Sequence, residues 1–394
     1  MKRKLRNRGA NIKVAVVTDP LYKRGGAEDH VRGILQAFPK AEIFTAYHDP
    51  KFTADYYPHV KVHHSFMQYL PGVRGVMHYV YFLLHPWAYQ SFKFKGFDVV
   101  ISISISFGKF AKPQNIPHVD ICMSPPKFFW EKEGRTLKDK NKFTGFNKFM
   151  FGFYAFFMDT VLERIWQKWD KEAAQKCTRI AAISNVVKER IKKYYDIDAD
   201  VIYPPVDTKP LQASKAINRK ENWFLYSGRV ETYKGVKLAI QACVKAGVPL
   251  KVVGKGDDLD AMQSLVQKLN AKGLVKFLGY VSDEEKFDLM SRAKALLFPV
   301  RHEDFGITPV EANASGTPVI AFREDGVLET ISEENPKTGI FFDEYKVDAL
   351  AKILKNFKSS DFLPDNCRKQ ANNFASEIFV YKLQNYVKDV LQKK

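Results

Sequence analysis

Two glutamates eight residues apart bracket a glycine-containing turn in the second half of this 394-residue sequence. Glu303 and Glu311 stand at the ends of EDFGITPVE, which follows the apolar run ALLFPV at 295–300. An ionised carboxylate accepts hydrogen bonds, so each glutamate can hold a vicinal diol. Backbone amides around Gly306 can face an anion, because glycine allows close approach. This pattern predicts a site for a ligand that carries both hydroxyl groups and negative charge.

A basic turn precedes this segment in the chain. Arg229 and Lys234 lie in GRVETYKG, between the apolar run WFLYS and a predicted helix, and Gly228 and Gly235 flank the two cations. A guanidinium and an ammonium together can offset the two charges of a pyrophosphate. If both turns lie at one edge of a sheet, they form the two halves of a nucleotide-diphosphate site.

Each motif also has a purely structural interpretation. Glu311 can complete a capping box in which Thr308 is the N-cap and Pro309 the first helical residue. Glu303 can be a solvated loop carboxylate, and a short basic turn such as the one at 228–235 is most often a solvated loop. The structural interpretations of Glu303 and Glu311 do not explain why these two glutamates bracket an anion-facing turn.

The segments around these motifs alternate between short apolar runs and helical patterns, which is typical of parallel sheets covered by helices on both faces. The fold class predicted is therefore α/β, with two doubly wound, Rossmann-like domains. We expect an N-terminal domain over 1–206, a C-terminal domain over 207–375, and a last helix over 376–394 that packs back toward the N-terminal domain. The double proline at 204–205 favours an extended connector between the domains.

The N-terminal half begins with the buried strand 12–19, which is followed by Gly25-Gly26 and a helix over 27–38. A glycine pair at this place can cradle a phosphate or admit an acceptor, although a plain tight turn is at least as common. Further strands are predicted at EIFTAY, 97–105, 119–124, 179–184 and 200–206. No internal repeat relates the two halves.

Charge is distributed unevenly along the chain. The sequence contains 62 Lys and Arg against 44 Asp and Glu, a net charge of +18, and residues 1–200 carry 33 basic and 19 acidic side chains. This excess predicts that the first half faces phosphate groups, a membrane surface or nucleic acid. Residues 142–170 combine many aromatic side chains with basic ones, which fits a helix that covers the N-terminal sheet or an interfacial membrane element.

Several classes of protein are excluded by what the sequence does not contain. The four cysteines are far apart and the histidines lack zinc-ligand spacing, so no metal site and no disulfide framework are predicted. P-loop, kinase and serine-hydrolase motifs do not occur. The apolar run after the basic N-terminus spans only 14–17, shorter than the roughly 7–15 residues of a secretion signal. A cytoplasmic protein is predicted, with possible peripheral contact to the membrane's cytoplasmic face.

With these motifs in view, the chain resembles family 4 of the glycosyltransferases, the retaining group with the GT-B architecture. The resemblance extends over most of the chain and is strongest at GRVETYKG, VVGKGDDL, FLGYVSDEEKFDLMSRAKALLFP and EDFGITPVEANASGTPVIAF. It implies two Rossmann-like domains that face a central cleft. The second domain would hold a nucleotide-sugar donor, and the first the acceptor.

The resemblance also implies roles for individual residues. Arg229 and Lys234 would contact the donor's diphosphate, Glu303 and the backbone of 305–307 the transferred sugar, and Glu311 the ribose. The residues implied in donor binding are Gly228, Tyr280, Val281, Phe305, Gly306, Ile307 and Glu311, with the base beside Tyr280 and Val281. Those expected at the acceptor and phosphate loop are Gly25, Gly26 and Lys127. No metal and no cofactor are implied, since cations would take the role of a divalent ion at the leaving group.

Two segments depart from the family pattern. Met123 stands where similar chains carry a histidine that helps to place the sugar, and Lys127 where they carry an arginine. The turn usually written Gly-Gly reads Asp325-Gly326. These departures bear on the orientation of the donor and on the choice of sugar.

The resulting hypothesis is transfer of a hexose, with mannose from GDP-mannose favoured, to a glycan or lipid-linked saccharide. One alternative is a glucosyl- or other hexosyltransferase that uses a UDP-sugar. Another alternative is a phosphorolytic or epimerising enzyme with the same double-Rossmann fold. A basic nucleic-acid-binding protein is an alternative from a different class, although no RRM, zinc-finger or helix-turn-helix signature occurs.

Overall fold

The computed structural model describes residues 12–22, 25–75, 80–131, 163–209 and 220–392. The chain divides into two compact units: Met1–Tyr203 with Val380–Lys394, and Pro204–Phe379. The division falls three residues before the predicted boundary at 206/207. Residues 142–162 of the predicted aromatic segment lie outside the described residues.

A parallel sheet of seven strands forms the centre of the first unit, among the residues described. The strands are β1 (Val14–Thr18), β2 (Glu42–Thr45), β3 (Val62–His64), β4 (Val99–Ser104), β5 (His118–Cys122), β6 (Arg179–Ala182) and β7 (Asp200–Val201). Their order is β3-β2-β1-β4-β5-β6-β7. β1 is an interior strand, so Val16 pairs with Ile43 on one side and with Ile101 on the other. All five residues of β1 are buried, as expected for a strand covered on both faces.

Helices connect these strands. They are α1 (Gly26–Ala37), α2 (Pro50–Tyr56), α3 (His85–Gln90), α4 (Lys127–Trp130), α5 (Glu163–Gln175) and α6 (Asn185–Tyr195). Helix α5 covers the sheet as one of the two interpretations of its sequence predicted: Trp166 is 2% exposed and stacks on Phe129 at 5.3 Å between ring centroids. Asp170 of the same helix is buried with Lys109, whose Nζ lies 2.8 Å from Asp170 Oδ1.

The second unit repeats the architecture around a six-stranded parallel sheet, again counted over the described residues. Its strands are β8 (Phe224–Ser227), β9 (Leu250–Val253), β10 (Val275–Gly279), β11 (Leu296–Phe298), β12 (Val319–Phe322) and β13 (Gly339–Phe342). The order is β10-β9-β8-β11-β12-β13. The helices are α7 (Val236–Ala246), α8 (Leu259–Lys268), α9 (Asp283–Arg292), α10 (Ile307–Ala314), α11 (Val327–Thr330), α12 (Val347–Asn356) and α13 (Pro364–Asn372).

Two separate apolar cores lie on the two faces of this second sheet. One includes Ile240 of α7 and Leu350 of α12, and the other includes Met290 of α9 and Ala312 of α10. Both units are thus Rossmann-like, and the predicted α/β class is confirmed.

The last helix, α14 (Ser376–Gln392), belongs to the first unit from Val380 onward. Gln384 is buried there, and its Nε2 donates a hydrogen bond of 2.8 Å to the carbonyl oxygen of Ala37 at the end of α1.

Two local predictions were wrong. Strand β3 had no counterpart in the predicted elements, because Val62–His64 is short and two of its three residues are histidines, which carry no apolar signal. Helix α10 begins at Ile307 with Gly306 as its N-cap, not at Pro309 with Thr308 as the cap. The φ angle of Gly306 is +96°, a left-handed conformation that glycine adopts readily and that starts the helix two residues earlier.

Candidate functional site

The two sequence motifs follow neighbouring strands of the second sheet. The basic turn 228–235 leaves the carboxyl end of β8, and the segment 299–306 leaves the carboxyl end of β11, which is the next strand in the sheet. β9 and β10 follow on one side of β8, and β11, β12 and β13 follow on the other side, so the strand order reverses at β8. Ligands of open α/β sheets bind in the crevice at such a switch point, at the carboxyl ends of the strands.

Close backbone contact holds the two loops together. A Cβ atom on Gly235 would lie 2.0 Å from the carbonyl oxygen of Pro299, so only glycine fits there, and its φ is +76°. Tyr226 supports the turn from beneath: its hydroxyl donates to the carbonyl oxygen of Arg229 at 2.9 Å and lies 3.3 Å from that of Lys234. Because Tyr226 is 3% exposed, this support is fixed within the core.

Lys234 and Glu303 meet across the crevice. Lys234 Nζ lies 2.9 Å from Glu303 Oε2, and the two side chains are 26% and 22% exposed. The lysine ammonium also lies 5.6 Å from the centre of the Tyr233 ring. The structure therefore brings together one residue from each of the two predicted motifs.

Arg229 occupies the same turn but is more exposed. Its guanidinium lies 5.6 Å from the centre of the Tyr233 ring, and its Nη1 is 3.4 Å from Glu231 Oε1. The Arg229 side chain is 63% exposed. Both cations thus flank one aromatic ring at the end of β8, and Arg229 extends further into solvent.

Glu311 does not close the capping box that its sequence context permits. It lies in the second turn of α10, and its Oε1 accepts a hydrogen bond of 2.9 Å from Lys286 Nζ on α9. No side chain among the described residues caps the start of α10 at Gly306. The structural interpretation of Glu311 as a capping residue is therefore wrong, and its carboxylate forms an ion pair instead.

A third loop supports the Glu303 segment. The amide of Gly326, after β12, donates to the carbonyl oxygen of Glu303 at 2.9 Å. A Cβ on Gly326 would lie 2.4 Å from the carbonyl oxygen of Asp304, so packing requires glycine at this position. Phe305, buried below the segment, packs edge-on against Phe374 with 5.3 Å between ring centroids.

The predicted base-contacting residues follow β10, at the outer edge of the same sheet. Tyr280 is 72% exposed, and Val281 packs partly against one of the two apolar cores. Helix α9 begins two residues later, where the Ser282 hydroxyl accepts from the amide of Glu285. Their role toward a base stays a prediction.

The first unit places its predicted residues at the carboxyl edge of its own sheet. Gly25 and Gly26 begin α1 after β1, and Lys127 begins α4 after β5. The Glu28 carboxylate folds back onto this turn, since a Cβ on Gly25 would lie 3.0 Å from Glu28 Oε2. A carboxylate thus lies where the sequence suggested a phosphate cradle.

One group of described side chains has ligand types that metals use. His302, Glu324 and Asp325 each offer a ligand atom, and these atoms lie within 4.8 Å of one another. Arg301 already places its Nη2 3.3 Å from Glu324 Oε1, which supplies a cation to this cluster. The expectation that the protein requires no metal stays a prediction.

Comparison with known families identifies part of the chain. Residues 207–374 match the family model described as Glycosyl transferases group 1. The match covers most of the second unit, and the matched region, residues 207–374, is called the group 1 domain below. The Lys234–Glu303 contact, Arg229 and Glu311 all lie within this domain.

Relatives with assigned functions match the chain at modest identity. O-antigen chain mannosyltransferase RfbU of Salmonella typhimurium is 29% identical over 239 residues, which is 56% of this chain and 66% of the relative. Alpha-1,3/1,6-mannosyltransferase ALG2 of Homo sapiens is 26% identical over 236 residues, 52% of this chain and 56% of the relative. The matches thus cover slightly less than two thirds of the first relative and little more than half of the second.

Solved structures share the fold over nearly the whole chain. The Anabaena protein Alr3699/HepE in complex with UDP-glucose has a TM-score of 0.66 and 16% identity, with 95% of this chain and 99% of that chain covered. At this identity the likeness shows the fold alone.

Lys286 is the residue near the site that sequence reasoning missed. It lies 25 positions before Glu311, in a helix whose polar residues look solvent-facing. Its place in the sequence, five residues after the predicted base-contacting residue Val281, was the available signal. Only the packing of α9 beside α10 brings it to Glu311.

Proposed function

We propose that the protein is a retaining glycosyltransferase that moves a hexose from a nucleotide-diphosphate sugar to a glycan or lipid-linked acceptor. The observation that carries the proposal is the 2.9 Å contact between Lys234 and Glu303 at the switch point of the group 1 domain. It brings a cation suited to a phosphate beside a carboxylate suited to sugar hydroxyls. A single ammonium group would not by itself specify such a ligand.

In this proposal the diphosphate binds over the turn 228–235. Lys234 and Arg229 offset the charge that grows on the leaving phosphate oxygen as its bond to the sugar's anomeric carbon breaks. The acceptor hydroxyl forms the new bond from the same face of the sugar, and its proton passes to the departing phosphate. Glu303 and the amides of 305–307 orient the sugar. We assign no covalent nucleophile.

Mannose from GDP-mannose is the donor we propose first, because RfbU and ALG2 are both named mannosyltransferases. A UDP-sugar is the second candidate, since Alr3699/HepE adopts the same fold with UDP-glucose bound. Neither proposal requires a metal or another cofactor at the leaving group, where two cations already lie.

A panel of nucleotide-sugars tests the function. The purified protein is incubated with GDP-mannose, UDP-glucose, UDP-galactose and ADP-glucose, and thermal unfolding and donor hydrolysis are measured for each. We expect one donor class to raise the melting temperature, because a ligand that binds only the folded state stabilises it. A folded protein that binds no donor, but binds an oligonucleotide with steep salt dependence, would instead support the nucleic-acid alternative.

We further propose peripheral contact of the first unit with an anionic membrane, where a lipid-linked acceptor would reside. Trp87, Ile165 and Trp169 are 53%, 41% and 38% exposed, and both tryptophans line a cavity of about 490 Å³ together with Lys112 and Lys176. Exposed aromatic and basic side chains favour the headgroup region. No described helix is long and apolar enough to cross a bilayer.

Sedimentation with vesicles tests this contact. We expect binding to vesicles that contain phosphatidylglycerol, weaker binding at high salt, and weaker binding of the double variant Trp87→Ala, Trp169→Ala. Equal binding of this variant and the parent would contradict the assignment of the surface.

A further inference from the structure

Lys286 forms a further lysine–glutamate pair of the group 1 domain, beside the Lys234–Glu303 pair. Its Nζ lies 2.9 Å from Glu311 Oε1 and 3.5 Å from Asp283 Oδ1. The side chains of Lys286 and Glu311 are 19% and 18% exposed, so both ends of the pair are mostly removed from water. This pair is as short as the Lys234–Glu303 pair, and slightly less exposed.

The position of Lys286 in the fold connects two parts of the predicted donor site. Helix α9 starts at Asp283, directly after the loop with Tyr280 and Val281, which is expected beside the base. Glu311, on α10, is expected beside the ribose. Lys286 lies one turn into α9 and joins these two elements, which are otherwise separated along the chain by β11 and the segment 299–306.

We propose that Lys286 is a positioning residue for the nucleoside part of the donor, which fixes the Glu311 carboxylate for the ribose diol. This inference rests on the proposed function. A free glutamate side chain samples several rotamers, and immobilising it costs conformational entropy when a ligand binds. The ion pair with Lys286 incurs that cost in the folded protein, before the donor arrives.

The charge balance of the site supports the same assignment. Lys286 is paired with two carboxylates, those of Glu311 and Asp283, so its charge is already compensated. Lys234 and Arg229, by contrast, lie on the turn assigned to the diphosphate, where two cations face the glutamates Glu303 and Glu231. Lys286 therefore sets the geometry at the nucleoside end of the donor. The ligand it selects is a ribonucleoside diphosphate sugar, as opposed to its 2′-deoxy counterpart.

The test compares Lys286→Met, Lys286→Arg and the control Lys276→Met, in which an exposed lysine of β10 is changed. For each protein, Kd values are measured by calorimetry with GDP, UDP and their 2′-deoxy forms, and KM and kcat with the best donor. Thermal unfolding confirms that each variant is folded.

We expect Lys286→Met to weaken binding of the preferred ribonucleotide on the order of tenfold or more, the effect of losing a hydrogen bond to a charged group. The ratio of ribo to 2′-deoxy affinity should fall, and KM should rise while kcat changes little. Lys286→Arg should restore most of the loss, and Lys276→Met should match the parent.

A double-mutant cycle with Glu311→Gln separates positioning from a general structural role. In the Glu311→Gln background, Lys286→Met should have little further effect on the ribo to 2′-deoxy ratio, since the two residues act as a unit. Unchanged or tighter ribonucleotide binding by Lys286→Met, or equal losses for ribo and 2′-deoxy forms, would overturn the inference alone. A parent protein that binds neither GDP nor UDP would overturn the proposed function as well.

Discussion

The turn after β1 in the first unit and the turn after β8 in the second occupy the same place in two sheets of the same strand order. In each sheet this strand lies between its second and fourth strands, at the switch point. Both turns contain two basic residues in sequence, Lys23 and Arg24 after β1 and Arg229 and Lys234 after β8. They differ in the carboxylates beside them: Asp19, Glu28 and Asp29 flank the first turn, whereas the second contains Glu231.

The two junctions are also held by different groups. In the first unit the Asp19 carboxylate accepts hydrogen bonds from the amides of Ile105 at 2.8 Å and Phe107 at 3.2 Å, in the loop after β4. In the second unit the corresponding loops meet through backbone contact of Gly235 with Pro299. One topology thus supports a junction held by a side-chain carboxylate and another held by close backbone contact.

Burial also changes the titration of the Glu28 carboxyl beside the first unit's turn. Burial raises the pKa of Glu28, and the nearby Asp29 and Asp19 carboxylates raise it as well, although backbone hydrogen bonds act in the opposite direction. The carboxylate at the start of α1 also takes the place that an anionic ligand would need.

Lys234→Ala should give the largest effect in this comparison, because it removes the cation shared by the diphosphate turn and Glu303. We expect turnover with the best donor to fall by about 10²-fold or more. The measurement is kcat/KM, with Lys237→Ala, an exposed lysine of α7, as the matched control. Full activity of Lys234→Ala would break the assignment of the cationic turn.

Gly235→Ala tests whether backbone contact joins the two loops of the second unit. The added Cβ would lie 2.0 Å from Pro299 O, so we expect a loss of about 2–3 kcal/mol in unfolding free energy, together with lower activity. Gly247→Ala is the control: Gly247 also has a positive φ, but no atom lies within 4 Å of its added Cβ. Equal losses in urea unfolding would show that conformation, not contact, requires the glycine.

Tyr226→Phe should have a smaller effect, since it removes only the hydroxyl that binds the carbonyl oxygens of Arg229 and Lys234. We expect a loss of about 1 kcal/mol in stability and a modest rise in the donor KM. Thermal unfolding and steady-state kinetics measure the two effects. The exposed Tyr381 supplies the control variant Tyr381→Phe, and equal values for both variants would show that the hydroxyl does not support the turn.

Glu28→Gln should give the smallest effect, and one that depends on pH. Because the pKa of Glu28 is raised in the folded state, its contribution to stability is fully present below the ordinary carboxyl pKa and is lost as pH rises through the raised value. The unfolding free energy of the variant, relative to that of the parent, should therefore be higher at pH 8 than at pH 4. Urea unfolding at the two pH values measures it.

Glu42→Gln serves as the comparison of opposite sign. A hydrogen bond from His63 lowers the pKa of Glu42, so this carboxylate stabilises the fold above its ordinary pKa and the benefit disappears as pH falls. Replacing Glu42 should lower the unfolding free energy more at pH 8 than at pH 4. The same pH trend for both variants would contradict the assignment of a raised pKa to Glu28.

Much of the architecture was predictable from pattern alone. Apolar runs such as those of β8 and β11 alternate with helices, and that alternation requires parallel strands covered on both faces. The juxtaposition of Lys234 with Glu303 followed from the same reasoning, since both residues lie just beyond strand ends. Strand β3 escaped prediction because His63 and His64 interrupt its apolar pattern.

The start of α10 shows a second limit of prediction. Thr308, Pro309 and Glu311 satisfy a capping-box pattern, yet Gly306 begins the helix in a left-handed conformation. Short-range rules identify residues that can cap a helix, but packing selects among them. In this chain Lys286 pairs with Glu311, so the carboxylate is not used at the helix start.

The order of residues by itself determined the α/β class, the two turns with their charges and the place of each turn after a strand, because these follow from local periodicity. Only the tertiary structure decided which distant groups meet: Lys286 with Glu311, and Gly235 with Pro299. Side chains and backbone atoms far apart in sequence come within contact distance only when helices and strands pack, and no local pattern encodes that distance.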